Sequence, residues 1–174
     1  SEEEPMRWRE WLDRWGMSGL KINIGILEMD WNPQMQDRQA AWELYVELLT
    51  RVTTQYLHPE QGDEAAALKS VHELFALTRE ILKRHGSECQ EFAKLAIVVL
   101  NQVIRPFTAR WHKLSLAKAF EDTEKCLKFR AALELLQGRL RVYTRMLGDM
   151  AGVEARLAEL EFEDEEETGE GAAV

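Results

Sequence analysis

Residues 95–100, Leu-Ala-Ile-Val-Val-Leu, form an unbroken apolar run within a stretch of helical patterning from about Glu88 to Leu114. A helix that is apolar nearly all round has to be enclosed by neighbours, so the rest of the chain must supply elements that cover it. Yet Asn101, Arg105 and His112 recur at spacings of four and seven, which places them on one side of that helix. Such a polar line is either a site or the margin where an enclosed helix reaches the surface. Pro106 sits within it, removes one backbone donor and displaces the Gln102 carbonyl, which predicts a kink near Arg105.

The covering elements are legible on both sides. Pro5 opens a short helix with Trp8, Trp11, Leu12 and Trp15 on one face, and Gly16 ends it. Three tryptophans in eight residues are too much apolar surface to leave wet in a stable monomer. They form either a lid across the core or an exposed anchor for a partner. From Leu20 to Trp31, Leu20, Ile22, Ile24 and Ile26 alternate with Lys21, Asn23 and Gly25, which predicts a strand-like extended segment with a bulge at Gly25. No second strand pattern exists to pair with it, so another copy, another protein or tight coverage as an extended segment is expected to satisfy its ladder.

Beyond the Asn32-Pro33 breaker, Ala41, Leu44, Tyr45, Leu48, Leu49 and Val52 trace one helical face. A loop over residues 57–63 follows, with Asp63 capping a helix whose core stripe runs Leu68, Val71, Leu74, Phe75, Leu77, Ile81, Leu82 and which Gly86 terminates. Ser87 is the expected cap of the central helix. The last helix starts near Thr123, and Phe129, Leu133, Leu136, Leu140, Tyr143, Leu147 and Met150 alternate steps of three and four along it. Gly138, Gly148 and Gly152 each weaken it by about 1 kcal/mol relative to alanine, so its order depends on packing. The fold class expected is all-α: an antiparallel bundle of four main helices, with the short N-terminal helix and one strand-like segment, in a single domain over residues 1–158.

The net charge of −9 comes mostly from residues 159–170, which hold eight acids and no base. A segment this acidic repels itself and stays solvated, so residues 159–174 are expected to be a disordered acidic tail. The remaining body is almost neutral, which disfavours nonspecific nucleic-acid binding only weakly. Six consecutive apolar residues fall far short of the roughly 20 that span a bilayer, so no membrane span is expected. Cys89 and Cys126 show no disulfide framework, and no export signal opens the chain, so a cytoplasmic location is expected.

Motifs for chemistry are sparse. The four histidines, His58, His72, His85 and His112, are scattered, neither cysteine has a ligand at zinc spacing, and no phosphate loop is present. No metal site and no cofactor are therefore expected. Arg105-Pro-Phe-Thr-Ala-Arg-Trp-His112 and Arg79-Glu-Ile-Leu-Lys-Arg-His85 both resemble the arginine-x(4–6)-histidine motif of HEPN-type ribonucleases, which are helical bundles. The resemblance implies that Arg105 and His112, with Asn101 one turn below, act on the scissile phosphate of RNA across a dimer, without a metal. Pro106 departs from the polar residue that the family carries after its arginine. Residues 40–51 and 105–112 also resemble bacterial protein segments, which implies a bacterial origin.

Trp8, Trp11, Trp15, Ile22, Ile24, Arg110 and Trp111 are the candidate interaction residues, because tryptophan and arginine anchor protein contacts and the lone strand needs a mate. The function expected first is a non-enzymatic interaction or adaptor module that self-associates, with a protein partner ahead of nucleic acid. A metal-independent RNA nuclease using Arg105 and His112 comes second, and a small-ligand or nucleotide sensor at the Pro106 kink third.

Overall fold

Each main helix closes the apolar stripe of another. The computed structural model describes residues 4–51 and 63–153. The expectations for Val52, for the loop over residues 57–62 and for the acidic tail lie outside the described residues. The protein is all-α, with no strand among the described residues: α1 (Trp8–Arg14), α2 (Ile24–Leu27), α3 (Met35–Leu49), α4 (Glu64–His85), α5 (Gln90–Val99), α6 (Arg105–Leu116) and α7 (Thr123–Ala151).

α7 shows why the pattern folds as it does. Asp122 accepts hydrogen bonds from the Glu124 and Lys125 amides, closing the helix start. All seven residues of the expected seam, from Phe129 to Met150, are buried. Two of the three glycines are explained by geometry. Gly152 is left-handed (φ 77°), and the Val153 amide reaches back to the Gly148 carbonyl at 2.8 Å, ending the helix. A Cβ on Gly148 would stand 3.0 Å from the Tyr45 ring, so glycine is what lets α3 and α7 approach. Gly138 faces open space.

α5, a π-helical turn over Leu100–Ile104 and α6 form one continuous rod with right-handed helical dihedrals through both junctions. The break expected at Pro106 takes the form of this wider turn, in which the Arg105 amide donates to the carbonyl of Leu100, five residues back. Proline has no amide to continue the ladder, and one wide turn absorbs the mismatch. The rod is less enclosed than its composition implies. Phe92, Leu95, Ala96 and Val99 are buried, but Ile97 is 47% exposed. Ser87 does not cap it either: residues Gly86–Glu88 make a short 3-10 turn, Cys89 stands at the cap position, and its thiol donates to the Gly86 carbonyl.

The strand-like reading of Leu20–Trp31 is corrected. Ile24–Leu27 is a single helical turn, capped by the Asn23 side chain, which accepts from the Gly25 amide at 2.7 Å. The backbone groups that a sheet would pair find other partners. The Gln102 carboxamide accepts from the Lys21 amide at 2.8 Å and donates to the Lys21 carbonyl at 2.6 Å. The Trp8 amide donates to Met29 and the Trp31 amide to Met6, around an isolated antiparallel bridge between Arg7 and Asp30. Apolar alternation cannot distinguish a strand from a segment whose backbone is satisfied by a side chain elsewhere in the chain.

One buried carboxylate joins two helices. Asp37, near the start of α3, is 1% exposed and accepts from the Gln34 amide at 2.8 Å and from the Phe92 amide at 3.0 Å. It thus satisfies a helix-start donor on α3 and one on α5 at once.

Candidate functional site

The tryptophans of α1 are packed inward. Trp8 and Trp11 have no exposed surface and meet edge to face at 5.5 Å, and Trp31 stacks on Trp11 at 4.9 Å. Indole nitrogens in such a layer need acceptors, and two of them have one, while those of Trp15 and Trp31 are enclosed without a hydrogen-bond partner. Trp8 Nε1 donates to Glu91 at 2.6 Å and Trp11 Nε1 donates to Asp149 at 2.7 Å. The arrangement is the lid of the two sequence expectations, bolted to α5 and α7. Trp111 is likewise buried, against Phe120 and Phe129, with the Arg110 guanidinium over its ring at 5.5 Å. Trp15 and Ile22 are half-buried, and Ile24 is exposed.

Asn101, Arg105 and His112 are all exposed, so their line is where the rod reaches the surface. They are not gathered at one point. Arg105 lies over the Phe75 ring of α4 at 4.9 Å, and its Nε and one terminal nitrogen both donate to Asn101 Oδ1 at 3.2 Å. His112, two turns on, lines a separate cavity of about 290 Å³ between α4 and α6. There it faces His72 and Lys69, which the sequence analysis did not single out. Nothing in the periodicity says which two helices share a seam, so His72 carried no visible signal.

The second arginine–histidine pair has a structural role at its histidine. His85 Nε2 lies 2.8 Å from Glu43 and Nδ1 3.1 Å from Gln36, and Arg84 also pairs with Glu43. Arg79 is exposed.

A broad open groove of about 980 Å³ is edged by Glu28, Asp30, Asp37, Glu88 and Glu91. Its carboxylates are largely engaged. Glu28 pairs with Arg7 and Arg9, and the hydrogen bonds from Arg9 and then Arg7 hold its pKa below the usual carboxylate range. Asp37 holds two amides, and Glu91 holds Trp8 and Lys94. No group of histidines, cysteines and acids that could hold a metal ion exists among the described residues. Both cysteines are free thiols, and burial above all raises the pKa of each.

The outer face of α7 carries a second apolar stripe that sequence spacing could have revealed. Leu127, Ala131, Leu135, Gly138 and Val142 follow at steps of four, four, three and four. Leu127 is 64% exposed and Leu135 75%. The stripe runs into a groove of about 310 Å³ in which Leu135, Gly138 and Val142 meet Trp15, Met17 and Leu20. The enclosed indole nitrogen of Trp15 has no hydrogen-bond partner there.

By length and composition alone Gln90–Leu116 could cross a bilayer, but the core helix of a folded domain passes the same test, so it carries no argument about membranes. No protein-family model, curated protein or solved structure matches the chain.

Proposed function

We propose that this chain is a non-enzymatic protein-interaction module that associates with a second copy of itself through the outer face of α7. The observation that carries this reading is the pair Leu127 and Leu135, each about two-thirds exposed or more on one helix face. Large apolar side chains singly exposed are ordinary, whereas two on one stripe that continues into a groove lined by Trp15, Met17 and Leu20 form a patch. The stripe reads large, small, large, small, large about Leu135: Ala131 and Gly138 flank it, then Leu127 and Val142. A two-fold contact needs a self-complementary surface, and an antiparallel copy whose axis passes between Leu135 and Gly138 sets Leu135 beside Gly138 and Val142 beside Ala131. Gly138, where an added Cβ would meet nothing, leaves room for a close helix approach.

The body behind this face is read as an antiparallel four-helix bundle of α3, α4, the α5–α6 rod and α7, forming the domain over residues 1–158 and working in a bacterial cytoplasm. The neighbours are consistent with it, since α3 packs on α4 and α7, and α6 on α4 and α7.

Sedimentation of the full chain over a range of concentrations tests the assignment. The wild type is expected to approach twice the 20.2 kDa chain mass, and Leu135→Arg to remain at it. A wild type that stays monomeric at the highest soluble concentration, or a Leu135→Arg variant that dimerises equally well, overturns it.

A further inference from the structure

Several cations on this surface are paired with carboxylates. Arg7, Arg9, Arg84, Lys94 and Arg130 all stand in ion pairs. The cavity between α4 and α6 gathers basic groups that are not. Its lining is Ala65, Leu68, Lys69 and His72 from α4, Thr108, His112 and Ser115 from α6, and Phe120 from the following turn. The charged or titratable groups there are Lys69, His72 and His112, and no carboxylate lines it. None of those three has a hydrogen bond or ion pair among the described residues, in a chain whose net charge is −9.

The hydroxyls are already committed as donors. Thr108 Oγ1 donates to the carbonyls of Ile104 and Arg105, and Ser115 Oγ donates to that of His112. The donors left for a ligand are therefore the nitrogens of the lysine and the two imidazoles. A neutral imidazole still offers one N–H, and the ammonium offers three. Converging donors of this kind suit an acceptor with several oxygens and more than one negative charge. The same lining also carries apolar surface. Leu68 and the Phe120 ring face the space, and Phe120 is held in place by Phe129 at 4.9 Å and Trp111 at 6.3 Å. The volume lies at the lower end of the roughly 300–1,000 Å³ typical of ligand pockets, so the occupant is small.

We propose that this cavity binds a small phosphomonoester with a planar apolar body, its phosphate taken by Lys69, His72 and His112 and its ring laid against Leu68 and Phe120. The site is independent of the α7 face and of Arg105, which is occupied by Asn101 and Phe75.

The test is a calorimetric and imidazole-detected NMR titration of the full chain with phenyl phosphate, inorganic phosphate and phenol in parallel. Phenyl phosphate is expected to saturate and to move the ring resonances of His72 and His112 together. Inorganic phosphate is expected to bind about tenfold more weakly, and phenol not measurably, since each probe lacks one half of the recognition. The double variant His72→Gln/His112→Gln and, separately, Lys69→Met are expected to lose about tenfold in affinity or more. Both alter exposed side chains, so an unchanged melting temperature certifies the fold. Arg139→Met, a cation of the Trp15 groove instead, is expected to bind phenyl phosphate like the wild type. No saturable binding of phenyl phosphate, full retention of affinity in the histidine and lysine variants, or inorganic phosphate binding as tightly as phenyl phosphate overturns the proposal.

Discussion

The aromatic layer over residues 6–31 and the α4–α6 seam are both margins of the same core, yet the layer ties several of its polar groups to distant side chains and the seam does not. In the layer, the indole nitrogens of Trp8 and Trp11 and the backbone of Lys21 are each matched by a side chain far away in sequence: Glu91, Asp149 and Gln102. Along the seam, Lys69, His72 and His112 stand round a cavity with no hydrogen bond or ion pair among the described residues, the His72 ring lying against Phe75 at 5.8 Å. Matched polar groups fix one segment on another and are costly to disturb. Unmatched groups contribute little to the fold and remain available to a ligand. Residue type alone is a poor guide to role, since the tryptophans that resemble partner anchors are the locked ones.

That contrast can be broken by measurement. Trp11→Ala removes the largest enclosed ring of the layer and strands Asp149, so a loss of about 3–5 kcal/mol in urea unfolding is expected. A loss under 1 kcal/mol would mean that the layer is not part of the cooperative unit. Glu91→Ala leaves the Trp8 indole without its acceptor and should cost about 1–3 kcal/mol in the same assay.

An alkaline titration probes the core beneath both margins. Burial raises the pKa of the Tyr143 phenol above its ordinary value, whereas the unfolded phenol ionises near 10. The unfolded state therefore sheds its proton first, and stability falls as pH rises through about 10, by up to about 1.4 kcal/mol per pH unit. Tyr143→Phe should flatten that slope.

Smaller effects sharpen the comparison from the outside. Gly138→Ala meets no neighbour, so the monomer should gain about 0.5–1 kcal/mol from helix propensity while pairing through α7 weakens. At the seam, His112→Ala should leave stability within about 0.5 kcal/mol, because its ring makes no protein contact that the fold depends on. Incubated with labelled RNA, wild type and His112→Ala should behave alike. Cleavage by the wild type that His112→Ala abolishes would revive the nuclease expectation and displace the interaction reading.

Much of the helical outline was legible. The seam of α7, the stripe of α4 and the caps of α4 at Asp63 and Gly86 follow from spacing and from local backbone chemistry, which need no tertiary partner to be recognised. The segment from Leu20 to Trp31 was misread because its backbone is satisfied by Gln102, a residue about eighty positions away. The candidate site was legible only by half. Arg105 and His112 do share an exposed edge, but the partner of His112 across the cavity belongs to a different helix, and no pattern along one helix names its neighbour.

The order of letters by itself determined the ends of α4, the start of α7 and which faces of those helices avoid water, since these depend on side chains three or four positions apart. Only the packed fold decided that the tryptophans close a lid, that Gly148 is a contact while Gly138 is an opening, and that two histidines distant in the chain line one space. Each of those outcomes rests on which surfaces are brought within a few ångströms of each other, a property of the folded molecule and not of any window along its chain.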